Sequence, residues 1–429
     1  MQRNQATTKN RRRGLALIVV LWIVVLLAVV VTTVGKTTRL DTRVCRSSAA
    51  QIRGKWALKA GVEKAIAVLN DDSRDGDSLN DIWSEESENT VDLSGCELRV
   101  TIVDEAGKLN INTVTREELM FLPEMTAELA DSIIDWRDKD DKPNLNGAER
   151  GYYFNLEYSY PIRNGNFRTL RELQLVKGGT EKLLYEREES PGVNNELTKE
   201  SAIGNVLSGT SRSGAEKRLI DFLTCYSYDN NKDATESDRV NINKADEKKL
   251  TGSLDLYKSH AKWIMDNRKN GFKSIADLIN EKSKKESSKE DAQTKDARPL
   301  DLETFKSIAD KITVHESKQI PGLVNINTAS KEVLLGLFRG NHELAAEVVS
   351  YRNGLSGGMD SIADILEVKG MTIKIFKNIA NLVTVRSNIF NVQCRAVSRD
   401  TKAEYRVEAV VDRSNSPSVI VYWYQGAGH

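Results

Sequence analysis

The chain has 429 residues, and Lys plus Arg equals Asp plus Glu at 62 each, so its formal charge at neutral pH is zero. That balance gives no global basic field for nucleic acid and no acidic tail, while the length leaves room for two or three hydrophobic cores. Cys45, Cys96, Cys225 and Cys394 are scattered without a CxxC, the histidines His260, His315, His342 and His429 are isolated, and no GxSxG, Walker or dinucleotide motif occurs, so neither a zinc centre nor an enzyme is indicated.

Arg3, Lys9, Arg11, Arg12 and Arg13, with no acid among them, lead to Gly14, after which Leu15 to Val34 carries no charge. A run of about 20 apolar residues is long enough to cross the hydrocarbon core as one helix, and the preceding positives hold that end on the cytoplasmic side. A cleaved secretory signal would have a shorter apolar core with a small-residue step after it, and here the small-residue step precedes it. Ile52, Trp56, Ala60, Glu63 and Ala67 with Leu58, Val62, Ile66 and Leu69 then recur at helical spacing, so one helix continues to Leu69. This basic leader ending in Gly, with an apolar helix start and an amphipathic second half, resembles the type IV pilin and pseudopilin class. The resemblance implies a prepilin peptidase cut between Gly14 and Leu15. The glutamate usual at the fifth mature position is replaced by Val19, a departure typical of the K subunit among pseudopilins, which has no neighbour ahead of it.

Cys96 to Gly107 (CELRVTIVDEAG) alternates like a strand. A repeat follows: LNINTVTREEL from Leu109, VNINKADEKKL from Val240 and VNINTASKEVL from Val324, closing alike at Phe222–Ser227, Lys311–Ser317 and Leu382–Ser387. The first Asn of each NIN (Asn110, Asn241, Asn325) is expected to tie down a turn through its amide, and Ile111, Ile242 and Ile326 to enter a core. Thr115 or Ser330 is expected to cap the helix that follows. The pattern also resembles helix-hairpin-helix modules that bind phosphate through a glycine hairpin. Here the hairpins read LPEM (Leu122–Met125) and FRGN (Phe338–Asn341), so the two-glycine turn is missing and a packing module is the expected role rather than DNA binding.

Within the first repeat, DWRDKDDKPNLNGAERGYY spaces oxygen side chains at Asp138, Asp140, Asn144, Asn146 and Glu149, positions 1, 3, 7, 9 and 12 of an EF-type calcium loop. Lys142 and Pro143 exclude an EF-hand proper, but hard oxygen donors in an irregular loop suit calcium. The alternative is a solvated acidic turn of the kind expected at Asp71–Asp81. Beyond Ser387, NVQCRAVSRD, EYRVEAVVDRS and SVIVYWYQ read as three strands. Cys96 and Cys394 then belong to one sheet, which leaves open a disulfide in an oxidising compartment or two buried thiols.

The layout over nearly the whole chain resembles the general secretion pathway protein K family. The resemblance is carried by the Gly14 junction, Asp104–Thr113, the GAE loop, Val324–Ala329 and Thr384–Phe390. The extra NIN copy at Val240 and the charged segment 281–300 depart from it. The resemblance implies an α+β fold, with a pilin-like long N-terminal helix on a small antiparallel sheet and a large helical (helix-hairpin-helix or SAM-like) insertion after the first strand.

The domain reading is leader 1–14, membrane-spanning helix 15–35, helix continuation and first strand 36–106, and helical repeats 107–228, 229–317 (with linker 281–300) and 318–386, closed by C-terminal strands 387–429. The function implied is a non-enzymatic minor pseudopilin that caps or initiates the pseudopilus tip of a type II secretion system. It would be a single-pass inner-membrane protein with its N-terminus cytoplasmic and its bulk periplasmic. Its partners would be other minor pseudopilins, prepilin peptidase and the membrane, with no nucleic acid. The family carries a similar DxD, GAE and YY sequence in a calcium loop, which implies Asp138, Asp140 and Glu149 as ligands, then Asn146 and Asp141. A membrane-anchored DNA-binding helix-hairpin-helix protein and a minor pilin of a type IV pilus are the competing readings.

Overall fold

The computed structural model describes residues 8–85, 90–185, 218–279 and 297–426. Helix α1 (Thr8–Asp71) runs unbroken through Gly14 and Leu15 and across the apolar run, whose residues are all exposed. Its threonines do not interrupt it, because the hydroxyls of Thr32, Thr33 and Thr42 donate to carbonyls four residues back.

From Ala50 onward one face of α1 is buried on a five-stranded antiparallel sheet, β1 (Thr90–Leu93), β2 (Cys96–Asp104), β3 (Ile389–Ser398), β4 (Glu404–Asp412) and β5 (Val419–Gly426), in spatial order β1-β2-β3-β4-β5. Two glycines seat the helix. A Cβ on Gly54 would stand 2.2 Å from the Tyr405 ring, and one on Gly61 2.9 Å from Cys394 Sγ. Ala57, Leu58, Val62, Ala65 and Leu69 fill the core between helix and sheet, with Trp83 edge-on to Phe390 at 5.2 Å. The helical periodicity beyond Ala50 divides into two faces. Leu58, Val62 and Leu69 are buried, whereas Ile52, Trp56, Ala60, Glu63 and Ala67 face outward.

One sequence expectation is corrected and one open alternative is resolved. The sheet begins one strand earlier, at β1, joined to β2 by the two-residue turn Ser94–Gly95 with φ of 53° and 81°. This is the left-handed pair that a tight hairpin demands, and it means the insertion follows the second strand. Cys96 and Cys394 lie on adjacent strands, but Cys394 opposes Val100 and Cys96 opposes Ser398. That offset of four residues, about 13 Å along the strand, leaves both as buried free thiols.

The insertion, from Leu109 to Val385, has its own continuous core, separate from that of the helix and sheet. Each NIN strand pairs in parallel with its closing strand: Leu109–Asn110 with Leu223–Thr224, Val240–Asn241 with Ile312–Thr313, and Val324–Asn325 with Val383–Thr384. Ile111, Ile242 and Ile326 are fully buried. The first Asn works as expected: the side-chain oxygens of Asn110, Asn241 and Asn325 accept from the amides of Asn112, Asn243 and Asn327.

The second Asn has a role the sequence reading did not assign. Asn112, Asn243 and Asn327 each clasp both backbone groups of one distant residue, Phe167, Phe272 and Met359 respectively. A further repeated element, likewise unforeseen, is an arginine near the end of each second helix. Arg137, Arg268 and Arg352 donate to the carbonyls of Ile111, Ala245 and Ile326.

The second repeat is nested rather than consecutive. Tyr228–Asp229 pairs antiparallel with Ile320–Pro321, so the chain leaves the junction of the first and third repeats, builds the second, and returns to the same point. Residues 281–296 of the charged segment lie outside the described residues. Its last residue, Leu300, is a core residue bridged to Ile279.

Candidate metal centre

Helix α2 (Arg116–Leu119), capped by a Thr115–Glu118 box, leads to α3 (Ala127–Arg137), which begins behind the cap Thr126. Asp131 and Asp135, one turn apart on the buried face of α3, organise the acidic loop. Asp135 accepts from the Asn144 amide at 3.1 Å and from its side chain at 2.5 Å, and Asp131 accepts from the Asn146 amide at 3.2 Å and its side chain at 2.8 Å. Lys177 donates to the Asn146 carbonyl at 3.1 Å, and Trp136 packs edge-on to Tyr153 at 5.3 Å beneath the loop. Gly147 lies so close that a Cβ there would stand 1.9 Å from Asp135 Oδ2.

This scaffold brings Asp138, the residue that ends α3, and Glu149, which precedes the short helix Arg150–Phe154, together with Asp135. One carboxylate oxygen from each lies within 4.8 Å of the others. Glu149 is 5 % exposed, and neither of its carboxylate oxygens has a hydrogen-bond partner. Burial, and then the charges of Asp138 and Asp135, push its carboxyl up to about 7. Burial also raises Asp138 and Asp135. An uncompensated buried carboxylate among like charges is unfavourable, so the group has the donor set and the charge deficit that a hard divalent cation fits.

The remaining sequence candidates stand elsewhere. Asp140 is exposed, accepts from the Lys142 amide and stands outside the carboxylate group, while Asn146 donates its backbone and side-chain amides to Asp131. Asp141 is exposed, with one oxygen 3.4 Å from the Asn164 amide. Asp135 was missed because the count began at Asp138; the signal was its position one turn earlier on the same helix face.

The stretch Asp71–Asp81, expected to be a solvated acidic turn, is solvated only in part: Asp71 and Asp75 are exposed, but Asp77 and Ser78 are buried. Asp77 is buried and ion-paired to the buried Arg413, which also reaches Asp72 at 2.9 Å. Asp81 accepts from the Ser78 amide and the Trp83 indole.

The third-repeat hairpin of the helix-hairpin-helix pattern is turned toward protein, whereas Pro123 and Glu124 of the first-repeat hairpin are exposed. In the third repeat, between α4 (Lys331–Leu337) and α5 (His342–Asn353), Arg339 and Gly340 adopt φ of 50° and 82°. A Cβ on Gly340 would stand 2.6 Å from the Phe121 ring, and one on Gly336 3.2 Å from the Glu118 carbonyl. The turn that would offer amides to a phosphate is thus packed on the first repeat.

Residues 107–187, which contain this acidic loop, match the family model for type II secretion system protein K, and residues 321–384 match a helix-hairpin-helix motif. Among curated relatives, the type II secretion system protein K of Pseudomonas aeruginosa is 31% identical over 160 residues, 31% of this chain and 48% of the relative. That of Klebsiella pneumoniae is 24% identical over 201 residues, 42% of this chain and 61% of the relative. The chain therefore spans about half to three-fifths of the length of these relatives. Among solved structures, a chain of the GspK-GspI-GspJ complex from the type 2 secretion system of enterotoxigenic Escherichia coli is 13% identical, with a TM-score of 0.49. The match covers 89% of this chain and 99% of that one. The first repeat is thus similar to the type II secretion system protein K family, and part of the chain is similar to two curated members of it.

Proposed function

We propose that the chain is a minor pseudopilin at the tip of the pseudopilus of a type II secretion system, acting by assembly rather than catalysis. The observation that carries this reading is the division of labour on α1. Its first half is an uncovered apolar run. Its second half seats one face on its own sheet through Gly54 and Gly61 while Ile52 and Trp56 remain 57% and 65% exposed on the other. A soluble domain has no use for a bare apolar helix face, whereas a subunit whose helix lies beside sister helices does. In this reading prepilin peptidase cuts after Gly14, the span holds the protein in the inner membrane, and the sheet and repeats lie in the periplasm.

The acidic group fits into the same reading as a structural calcium site held by Asp135, Asp138 and Glu149. The cation would neutralise the orphaned Glu149 carboxylate and pin the loop to the end of α3. It would take no part in chemistry.

Complementation tests the assembly reading. In a strain lacking its own copy of the gene, the wild-type chain is expected to restore release of secreted proteins and to co-purify with the other minor pseudopilins. Trp56→Glu, still folded and membrane-bound, should lose both. Retention of both by the variant would remove the helix face from the account, and failure of the wild type would remove the assignment.

A further inference from the structure

Between the apolar run and the domain, α1 passes through Lys36, Arg39, Arg43 and Arg46, all exposed and none in an ion pair or hydrogen bond among the described residues. With 3.6 residues per turn these four cations fall within an arc of about 80°, and Asp41, the one acid of the segment, lies about 180° from its centre. The arc continues the helix face that carries Ala50, Gly54, Ala57 and Gly61, so the cations sit below the domain, on the side from which it overhangs.

At 1.5 Å per residue Lys36 stands about 3 Å and Arg46 about 18 Å beyond Val34. Side chains on a helix lean toward its N-terminus, here toward the apolar run, and long basic side chains keep their charged ends at an interface while their stems follow the helix. Lys36 and Arg39 therefore reach the headgroup layer directly, and Arg43 and Arg46 approach it when the helix tilts toward the cationic side.

We propose that this stripe binds anionic phospholipid headgroups of the leaflet on the domain side and tilts α1 toward its cationic face. The inference rests on the reading of α1 as a membrane span. The occupant is argued from two facts: the stripe is continuous with the apolar run, and its charge is segregated onto one face and left unneutralised by the chain itself. The consequence is directional. The Ile52 and Trp56 face lies about 140° around the helix from the cations, so a helix tilted onto its cations presents that face away from the bilayer, open to a neighbouring subunit.

The test uses the full chain in phosphatidylcholine vesicles containing a minor fraction of phosphatidylglycerol, with a spin label on one lipid or the other, and reads the lipid immobilised at the protein. The expected result is severalfold selectivity for phosphatidylglycerol at low salt, since each basic residue near the surface contributes to attraction of anionic lipid. It should fall toward parity in high salt, where the charges are screened, and in the variant with Lys36, Arg39, Arg43 and Arg46 all changed to Gln. Removing four exposed cations of the repeats instead, Lys248, Lys318, Lys331 and Lys374, should leave the selectivity unchanged.

Immobilised lipid without selectivity, or selectivity that survives the fourfold change, overturns the headgroup proposal while leaving the span intact. Absence of any immobilised lipid overturns the span and the proposal together. A fourfold variant that keeps lipid selectivity but no longer co-purifies with other subunits assigns the stripe to protein instead.

Discussion

Two groups of three acids stand among the described residues, and they solve the same electrostatic problem in opposite ways. At the junction of α1 and the sheet, Asp72, Asp77 and Asp81 lie together, and a cation the chain brings itself, Arg413, pairs with Asp77 and Asp72 while its guanidinium lies over the Phe390 ring at 4.7 Å. In the first repeat Asp135, Asp138 and Glu149 converge with no cation among them and with a buried carboxylate left without partners. Buried negative charge is tolerated only when something pairs with it. The first group is therefore complete on folding, and in the proposed reading the second is completed by a cation from solution. The acidic composition of the two stretches is similar; the presence or absence of one basic side chain from elsewhere in the fold distinguishes them.

The largest effect is expected where the cation is internal. Arg413→Met keeps the bulk but leaves Asp77 and Asp72 uncompensated, and loss of one partner of a buried pair typically costs about 3–5 kcal/mol. Denaturant unfolding of the full chain should show that loss equally with calcium and with chelator. A calcium-dependent loss would mean that this group too is open to an external ion.

Next in size is the effect of calcium on the second group. Calcium at a hundredfold excess over its dissociation constant should stabilise the wild type by about 2.7 kcal/mol, seen as a rise in melting temperature that chelator reverses and that Asp138→Ala with Glu149→Ala abolishes. Glu149→Gln sharpens the contrast because its sign should change. In chelator it is expected to stabilise by about 1 kcal/mol, by removing an unpaired buried charge, and in calcium to be less stable than the wild type. A variant that destabilises under both conditions would make Glu149 a packing residue.

The pH dependence follows from the same residue. The folded Glu149 carboxyl is held up to about 7 against an ordinary 4.5, chiefly by burial. The folded state therefore favours the protonated form. In chelator that contribution is present at low pH and is lost as pH rises through about 7. Calcium should remove or reverse this slope, and Glu149→Gln should flatten it. Asp77 is also raised to about 7, by burial, with Arg413 and the Ser387 amide working against it. Its share of the slope should be indifferent to calcium. The smallest effect is expected from Asp140→Asn, which should change calcium affinity by less than about twofold because exposed charges outside a site are screened. A tenfold loss would bring Asp140 into the coordination sphere.

What was legible in the sequence was whatever is encoded at short range. The apolar run, the alternation of β2 to β5, and the cap-and-turn chemistry of each NIN depend on residues within a few positions of one another. Asp138 and Glu149 were legible because a loop template spans both. What was not legible depends on partners brought from afar. Asp77 meets Arg413 across 336 positions, Asn327 clasps Met359 across 32, and no local rule separates a carboxylate that will face an arginine from one that will face solvent. Strand β1 escaped for a different reason: four residues with a polar pattern give almost no periodicity, and only the Ser94–Gly95 pair announced the turn.

The ladder between Tyr228–Asp229 and Ile320–Pro321 has a consequence for how such a chain changes over generations. The ninety residues between its arms begin and end at one point, so a tight turn joining Asp229 to Ile320 would excise the whole second repeat and leave the rest of the path in register. Loss or gain of a complete module at that point keeps the chain path but not the packing: Phe376 of the third repeat packs edge-on to Phe305 of the second, and Arg386 pairs with Asp310, so a chain without the module would need polar replacements on that face of the third repeat.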